Sequence, residues 1–233
     1  MASLGLAAIP PAHATLQISG IFGGVSFFCA DNTACDTNPG IGTVQIADQT
    51  LGGIQVNGSI QTSLGTPANP GPLDILNTSS LSLINTTAVP VSFLVTIGDT
   101  DFAAPVTSFA TSGSGVWQTA NGSTITLNWF NDPANAQGAD NPTDTPGNLI
   151  DTFTSTAVGA ADSFSHNNTG PATDPGPFSM TEQAIGRLIG HGELLNRGQT
   201  EIKTPTPVPE PASLAILGLG LLGLAGIPHR RRS

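Results

Sequence analysis

The feature that most restricts the fold of this chain is a series of short segments in which apolar and polar residues alternate. They are IGTVQIA (41–47), IQVNGSI (54–60), LSLIN (81–85), VPVSFLVTI (89–97), GVWQT (115–119) and STITLNWFN (123–131). In the last one Ile125, Leu127 and Trp129 share one side of a strand, because successive side chains point to opposite faces. Turn-forming residues recur between the segments. The pattern predicts an all-β fold, an antiparallel β-sandwich that is either immunoglobulin-like or jelly-roll-like.

Other parts of the chain extend this pattern. Residues 15–28 alternate apolar residues with glycines and predict a pair of strands, and residues 149–158 predict a further strand. Residues 177–190 also predict a strand; a helix at 180–189 is the alternative, but the two glycines in the segment disfavour it. Residues 133–147 (PANAQGADNPTDTPG) are rich in proline, glycine and polar side chains and predict a long loop.

Charged residues are scarce, and those in the body of the chain are almost all acidic. They make up 9% of the sequence, and residues 15–201 contain twelve aspartates and three glutamates against two arginines. Such a surface repels the phosphate backbone of nucleic acids, so the composition excludes nucleic acid as a partner. Low charge together with abundant Thr, Ser, Asn and Gly favours a secreted β-protein over a cytosolic enzyme.

The N-terminal residues have features of a secretory signal peptide. Residues 3–9 are apolar, and residues 12–14 (AHA) have the small side chains that signal peptidase requires. We therefore predict a signal peptide at residues 1–14, with cleavage between Ala14 and Thr15. Because no basic residue precedes the apolar segment, we also expect this signal peptide to be truncated at its N-terminus. A disordered end is the alternative.

The C-terminal residues combine three features in a fixed order. These are a Pro-Glu-Pro turn, an uncharged apolar run and an arginine cluster, at Pro209, Glu210 and Pro211, at residues 212–227, and at Arg230, Arg231 and Arg232. A helix over the apolar run covers about 24 Å, short of a hydrocarbon core of about 30 Å, but flanking arginines can snorkel to the interface. Four glycines and the lack of a polar face disfavour a buried core helix. Because arginines stay cytoplasmic, we predict a transmembrane helix at residues 212–227 whose N-terminal side lies outside.

This order of motif, span and arginines strongly resembles the PEP-CTERM sorting signal of exported proteins in Gram-negative bacteria. The resemblance implies that a membrane-embedded exosortase recognises and processes Pro209, Glu210 and Pro211, after signal peptidase has acted at the other terminus. It also implies an inner-membrane-anchored precursor that ends at the cell surface or in the extracellular matrix. The domains that such signals sort are diverse, so the resemblance covers the tail alone. A plain anchor that no enzyme processes is the alternative.

The domain organisation follows from the two termini. Residues 200–207 (TEIKTPTP) predict an extended Pro/Thr linker ahead of the sorting signal at residues 208–233. Residues 15–199 remain, which is long enough for one domain with a hydrophobic core. We predict a single secreted ectodomain over these residues.

The two cysteines of the chain, Cys29 and Cys35, predict a disulfide. In an exported chain a pair of cysteines is typical of a disulfide, because the compartment is oxidising. The chain-entropy relation gives a stabilisation of about 2.4 kcal/mol for a loop this short. A metal-binding pair is the alternative, although no histidine lies near enough in sequence to complete a four-ligand site.

Residue types that carry catalysis are scarce. His166 and His191 are the two histidines between the predicted signal peptide and the sorting tail. His166 lies in SHNNT (165–169), which predicts a turn-like loop, and neither histidine belongs to a nucleophile motif. The sequence also lacks a phosphate-binding loop, a dinucleotide fingerprint and a His-Glu-x-x-His motif. We predict that the protein is not an enzyme and has no resident cofactor.

Asp99 and Asp101 are the candidates for a metal site. They stand at the end of a predicted strand in IGDTDF (97–102), and carboxylates at this spacing can bind calcium. The EF-hand pattern is absent, and such pairs more often cap turns. A solvated turn is therefore the favoured interpretation, with a calcium ion as the alternative.

Two functions fit these features. The first is a cell-surface or extracellular-matrix protein without catalytic activity, in contact with the exopolysaccharide of a biofilm. The second is a calcium-assisted carbohydrate-binding module. Sugar sites usually present exposed aromatic rings, and the chain has two tryptophans and no tyrosine, which favours the first function. A secreted hydrolase is a third alternative.

Overall fold

The computed structural model describes residues 15–63, 73–102 and 106–203, which form two antiparallel sheets. The strands are β1 (Gln17–Phe22), β2 (Val25–Ala30), β3 (Thr43–Leu51), β4 (Ile54–Thr62), β5 (Leu73–Asn85), β6 (Val91–Phe102), β7 (Ser108–Gln118), β8 (Thr124–Asp132), β9 (Asn148–Thr156), β10 (Ala161–Pro171), β11 (Phe178–Leu188) and β12 (Glu193–Lys203). The first sheet has the order β2-β1-β6-β11-β8-β9, and the second has the order β10-β7-β12-β5-β4-β3. The predicted antiparallel sandwich is confirmed for these residues.

The eight strands β5 to β12 follow a jelly-roll path. Strands β5, β6, β7 and β8 alternate between the sheets, β9 stays beside β8, and β10, β11 and β12 alternate again. Two hairpins widen this unit: β1 and β2 extend the first sheet beside β6, and β3 and β4 extend the second sheet beside β5. Of the two predicted architectures, the strand order therefore matches the jelly roll.

The two sheets enclose one apolar core. Its largest side chains are aromatic, namely Trp117, Trp129, Phe22, Phe102 and Phe178, and all of them are fully buried. Ile125, Leu127 and Trp129 lie together on the core face of β8, as their alternation predicts. Removal of this apolar surface from water is the main favourable term in folding.

The predicted segment 15–28 corresponds to strands β1 and β2. The predicted segments 149–158 and 177–190 correspond to β9 and β11. The helix alternative at residues 180–189 is wrong, because these residues pair with β6 and β8 as a strand. No helix in the described ranges is long and apolar enough to cross a bilayer. The predicted signal peptide and the predicted span at residues 212–227 lie outside the described residues.

One predicted loop and one predicted linker boundary differ from the structure. Residues 165–169, predicted as a turn-like loop, lie inside β10 and pair with β7. Their polar composition hides the strand, because β10 is an edge strand on which only Phe164 among the half-buried residues is a large apolar side chain. The predicted linker begins too early, since residues 200–203 continue β12 and pair with both β5 and β7.

Cys29, near the end of β2, and Cys35, in the loop that follows, form a disulfide in the structure. Cys29 is buried in the core, while Thr33 inside the loop donates its hydroxyl to the carbonyl of Ala30 at 2.6 Å. The bond therefore ties the exposed loop after β2 to the core of the sandwich.

We expect thiol labelling of the denatured, unreduced protein to give no product, because both cysteines are bonded. Reduction before labelling should then expose two reactive thiols, which mass spectrometry counts directly. Two labelled thiols without reduction would contradict the disulfide.

Candidate binding face

Two rows of side chains cross the six strands on the outer face of the first sheet. The apolar row, which has aliphatic side chains at its centre, is Ser26, Ile21, Leu94, Ile185, Thr126 and Thr154. The amide row beside it is Phe28, Ser19, Thr96, Gln183, Asn128 and Thr152. Both rows follow from the registers of neighbouring strands, since residues two apart along a strand share one face.

The amide row is joined by hydrogen bonds across four strands. The Thr152 hydroxyl donates to Asn128 Oδ1 at 2.7 Å, and Asn128 Nδ2 donates to Gln183 Oε1 at 3.3 Å. Gln183 Nε2 in turn donates to the Thr96 hydroxyl at 3.4 Å. Each amide is thereby held in one orientation. Ser19, Thr96 and Gln183 are buried, so the polar groups that the row leaves accessible are those of Asn128 and Thr152.

The long loop at residues 133–147 lies back across part of this face. The carbonyl of Pro142 accepts hydrogen bonds from the Thr96 hydroxyl at 2.6 Å and from Gln183 Nε2 at 3.3 Å. Gly98 makes this approach possible, because a Cβ there would lie 2.7 Å from the carbonyl oxygen of Gly138. The predicted loop is confirmed, and it forms one side of the remaining open surface.

The open part of the outer face is a groove of about 640 Å³. Its floor is the centre of the apolar row, Ile21, Leu94 and Ile185, and the last of these is 42% exposed. Turns that begin at Gly23 and at Gly52 contribute to its border. The volume falls within the range of about 300–1,000 Å³ that small-molecule and cofactor sites occupy.

The two rows contain no charged residue. Arg187, two positions beyond Ile185 on β11, stands at the border beside Ser92 and Thr124. Because the rest of the domain is strongly acidic, it repels an anionic partner that approaches this face, whereas an uncharged partner meets no such repulsion.

Asp151 and His166 connect the edges of the two sheets. Asp151 lies on β9 of the first sheet and His166 on β10 of the second, with 2.7 Å between Asp151 Oδ2 and His166 Nε2. The Thr111 hydroxyl also donates to Asp151 Oδ2. The imidazole stacks on Phe153 at 4.7 Å and on Trp129 at 5.6 Å between ring centres.

Burial opposes ionisation of Asp151, but hydrogen bonds from Thr111, His166 and Asn168 outweigh it and lower the pKa of the carboxyl.

The geometry of this Asp–His pair differs from that of a catalytic triad. In a hydrolase triad the histidine stands between the aspartate and a nucleophilic hydroxyl. Here the hydroxyl of Thr111 binds the aspartate itself, and two aromatic rings enclose the imidazole. We therefore interpret the pair as a latch that closes this side of the sandwich.

Replacing Asp151 by alanine should lower the free energy of unfolding by about 2–3 kcal/mol, because Thr111 and His166 lose a shared acceptor near the core. Denaturant unfolding followed by tryptophan fluorescence measures the loss. The matched control is Asp140→Ala, an exposed residue of the long loop, for which we expect a change within about 0.5 kcal/mol. Equal effects of the two substitutions would contradict the latch.

Asp99 and Asp101 have separate roles in the structure. Asp99 is buried; it accepts a hydrogen bond from the Thr100 amide at 2.9 Å, and burial raises the pKa of its carboxyl to about 7. Asp101 instead pairs with Asn135, whose Oδ1 accepts from the Asp101 amide at 2.8 Å and whose Nδ2 donates to Asp101 Oδ1 at 2.6 Å. Within the described ranges no group of three or more His, Cys, Asp or Glu side chains could hold a metal ion.

Glu182 is a buried carboxyl that the sequence analysis missed. It lies on the core face of β11, where the hydroxyls of Thr78 and Thr200 donate to its two oxygens at 3.1 and 2.9 Å. Burial raises the pKa of Glu182 to about 8 despite these bonds. A cavity of about 20 Å³ beside it is lined in part by Asn196 and Trp129. Its position in the alternation, two residues from buried Met180, is the signal that could have revealed it.

Residues 207–232 match the family model of the PEP-CTERM protein-sorting motif. The chain is therefore a β-sandwich protein that carries a PEP-CTERM sorting motif, at the position that the sequence predicts. This motif indicates an exported, membrane-anchored precursor of a Gram-negative bacterium, and it implies exosortase-dependent sorting. No curated protein matches the chain by sequence.

Solved structures resemble this chain at low similarity. TmCBM61 in complex with beta-1,4-galactotriose is 11% identical with a TM-score of 0.31, over 70% of this chain and 96% of that chain. The carbohydrate binding module CBM6cm-2 from Cellvibrio mixtus lichenase 5A, in complex with cellotriose, is 14% identical with a TM-score of 0.28, over 71% and 98%. The enzymatically active domain of bacteriophage CBA120 tailspike protein 4 is 10% identical with a TM-score of 0.28, over 55% and 19%.

Proposed function

We propose that this protein is a non-catalytic, exported protein of the cell surface or extracellular matrix that binds an uncharged partner through the outer face of its first sheet. The observation that carries the proposal is the groove on that face. It combines an apolar floor, formed by Ile21, Leu94 and Ile185, with the accessible end of the amide row, where Thr152 holds the Asn128 amide in place. Such a combination of apolar surface and a few oriented polar groups is the usual composition of a binding site.

The partner class that fits this face best is a neutral polysaccharide. A sugar ring offers apolar C–H faces and a rim of hydroxyl groups, which match an aliphatic floor and fixed amides. Both tryptophans are buried in the core, so they do not stack on a ligand. Phe28, at the β2 end of the amide row, is 49% exposed and offers an aromatic ring instead.

The absence of catalysis is part of the proposal, and the placement of titratable groups supports it. His166 and Asp151 are engaged in the latch. Glu182 and Asp99 are buried inside the sandwich, away from the groove. Acid–base and nucleophilic catalysis both need such groups in contact with substrate.

Deletion of the gene in the native host tests the proposal. We expect a matrix that retains less polysaccharide and disperses more readily under shear, with full recovery when the wild-type gene is restored. The purified full-length chain should turn over no glycoside or ester in an activity screen. An unchanged matrix together with turnover of any such substrate would overturn the proposal.

A dedicated carbohydrate-binding module is the second candidate, and the size of the groove favours it. This function predicts tight binding of short oligosaccharides rather than of long polymers alone. A glycan screen of the purified chain with and without calcium distinguishes the two. Binding of a short oligosaccharide that calcium strengthens would support the module; binding of polymers alone, unaffected by a chelator, supports the matrix protein.

A further inference from the structure

Strand β10 is an edge of the second sheet, and its pairing is regular. It pairs with β7 at every position from Ala161 to Pro171 without a register shift. An edge strand presents a row of N–H and C=O groups that can pair with a strand from another molecule. Natural sheets usually blunt such edges with bulges, lysines, prolines or a covering loop.

The opposite edge of the same sheet is protected in the usual way. Strand β3 has a register shift between Ile46 and Gln49. The loop before β3 also covers part of its edge: the Thr37 amide donates to the Gln45 carbonyl at 2.9 Å, and the Gln45 amide donates to Asp36 Oδ1 at 2.9 Å. Strand β10 has neither a bulge nor such a covering segment among the described residues.

Two side chains on β10 cover its edge instead. Asp162 Oδ1 accepts the amide hydrogen of Ser163 at 2.8 Å, and Asn168 Oδ1 accepts the amide hydrogen of Thr169 at 2.9 Å. Ser163 and Thr169 lie six residues apart, so their amides point to the same side of the strand. A side-chain oxygen, rather than a carbonyl of β7, accepts the amide hydrogen of both residues. Both amides therefore point away from the sheet.

The neighbouring edge strand of the other sheet repeats the arrangement. On β9, Asp151 Oδ1 accepts the amide hydrogen of Thr152 at 2.9 Å. Asp162 also fixes the turn that joins the two edge strands, since its Oδ2 accepts the Val158 amide at 2.9 Å. The same local bond therefore occurs three times on one side of the sandwich.

We propose that Asp162 and Asn168 are edge guards that prevent β10 from pairing with β10 of a second copy of this chain. Their oxygens occupy the outward amides that a partner strand would need at both ends of the exposed segment. Removing both oxygens opens a continuous edge from Ser163 to Thr169.

A second copy is the partner that suits this edge. Antiparallel pairing centred on His166 places Ser165 opposite Asn167 of the second copy. The same register places Asp162 opposite Gly170 of the second copy, so no two carboxylates face each other. The resulting two-fold contact joins two six-stranded sheets into one continuous sheet.

Sedimentation velocity of the full-length chain in neutral detergent tests the proposal. We expect the wild type to sediment as a monomer and the double variant Asp162→Ala/Asn168→Ala to sediment with about twice the protein mass. Asp162→Asn is the matched control, because it removes the charge and keeps the acceptor oxygen, and it should stay monomeric. Thermal unfolding of each variant verifies that it is folded.

A third substitution identifies the strand involved. Adding Ser165→Pro to the double variant removes an outward amide from the middle of the exposed segment, which edge strands tolerate, and it should restore the monomer. Three results would overturn the proposal: a monomeric double variant that is folded, association of Asp162→Asn, or association that persists with the proline. Any of these three results would leave the proposed binding face unaffected, because the groove lies on the first sheet and β10 belongs to the second.

Discussion

Replacing Glu182 by glutamine should remove roughly half of the pH dependence of folding stability between about pH 4.5 and about pH 8, because Asp99 causes the rest. Burial raises the pKa of this carboxyl from 4.5 to about 8, so the folded protein keeps a proton that the unfolded chain releases. The contribution of Glu182 to the free energy of unfolding is therefore highest below about pH 4.5, falls as the pH rises, and reaches its low value above about pH 8. Because one pKa unit corresponds to about 1.4 kcal/mol, the wild type should lose several kcal/mol over this range.

Urea unfolding at a series of pH values measures this effect. Asp99 acts in the same direction, since burial raises its pKa to about 7, so the Glu182→Gln variant should keep a smaller fall at lower pH. Glu193→Gln is the matched control, because Glu193 lies partly exposed on the neighbouring strand β12, and it should follow the wild-type curve. A wild-type stability that stays constant or rises with pH would contradict the buried, protonated state of Glu182.

Replacing Glu210 by alanine should leave a full-length, membrane-bound precursor. The motivation is the match of residues 207–232 to the sorting motif, in which Pro209, Glu210 and Pro211 are the recognition residues that the resemblance implies. Since exosortase recognition depends on this tripeptide, we expect processing to stop rather than to slow. Immunoblots of membrane and extracellular fractions, with mass spectra of the C-terminus, give the readout.

The control for this substitution is Thr206→Ala, which changes one residue ahead of the Pro-Glu-Pro tripeptide and leaves the tripeptide intact. It should be processed as the wild type is. If the wild-type protein from the native host retains its complete tail in mass spectra, the tail is a plain anchor and the sorting prediction is wrong.

The parts of the fold that could be predicted are those in which a strand has one apolar face. Ile125, Leu127 and Trp129 show their alternation within one short segment, so β8 was predictable from local sequence. Strand β10 was not, because at the edge of the sheet its exposed residues are nearly all polar and no continuous apolar face exists. The extension of β12 to Lys203, into the predicted linker, was not predictable either, because buried residues of this strand such as Asn196 and Thr200 are polar.

The candidate binding face could not be predicted from the sequence. Ile21, Leu94 and Ile185 come from β1, β6 and β11, and only the sheet order makes them neighbours. The covering of this face by the loop at residues 133–147 is also a tertiary contact, made through the carbonyl of Pro142. In contrast, the sorting motif consists of adjacent residues in a fixed order, which is why the sequence alone identified it.

The most direct test of the proposed function is affinity electrophoresis of the full-length chain in gels that contain the neutral polysaccharide of the native host. The test compares Ile185→Asp, in the floor of the groove, with Leu195→Asp on the other sheet. The two parent residues are 42% and 43% exposed, so both variants introduce the same charge at equally exposed sites. We expect the polysaccharide to retard the wild type and Leu195→Asp equally, and Ile185→Asp to bind about tenfold more weakly, a loss of about 1.4 kcal/mol. Equal retardation of both variants, or no retardation of the wild type, would contradict binding through the outer face of the first sheet.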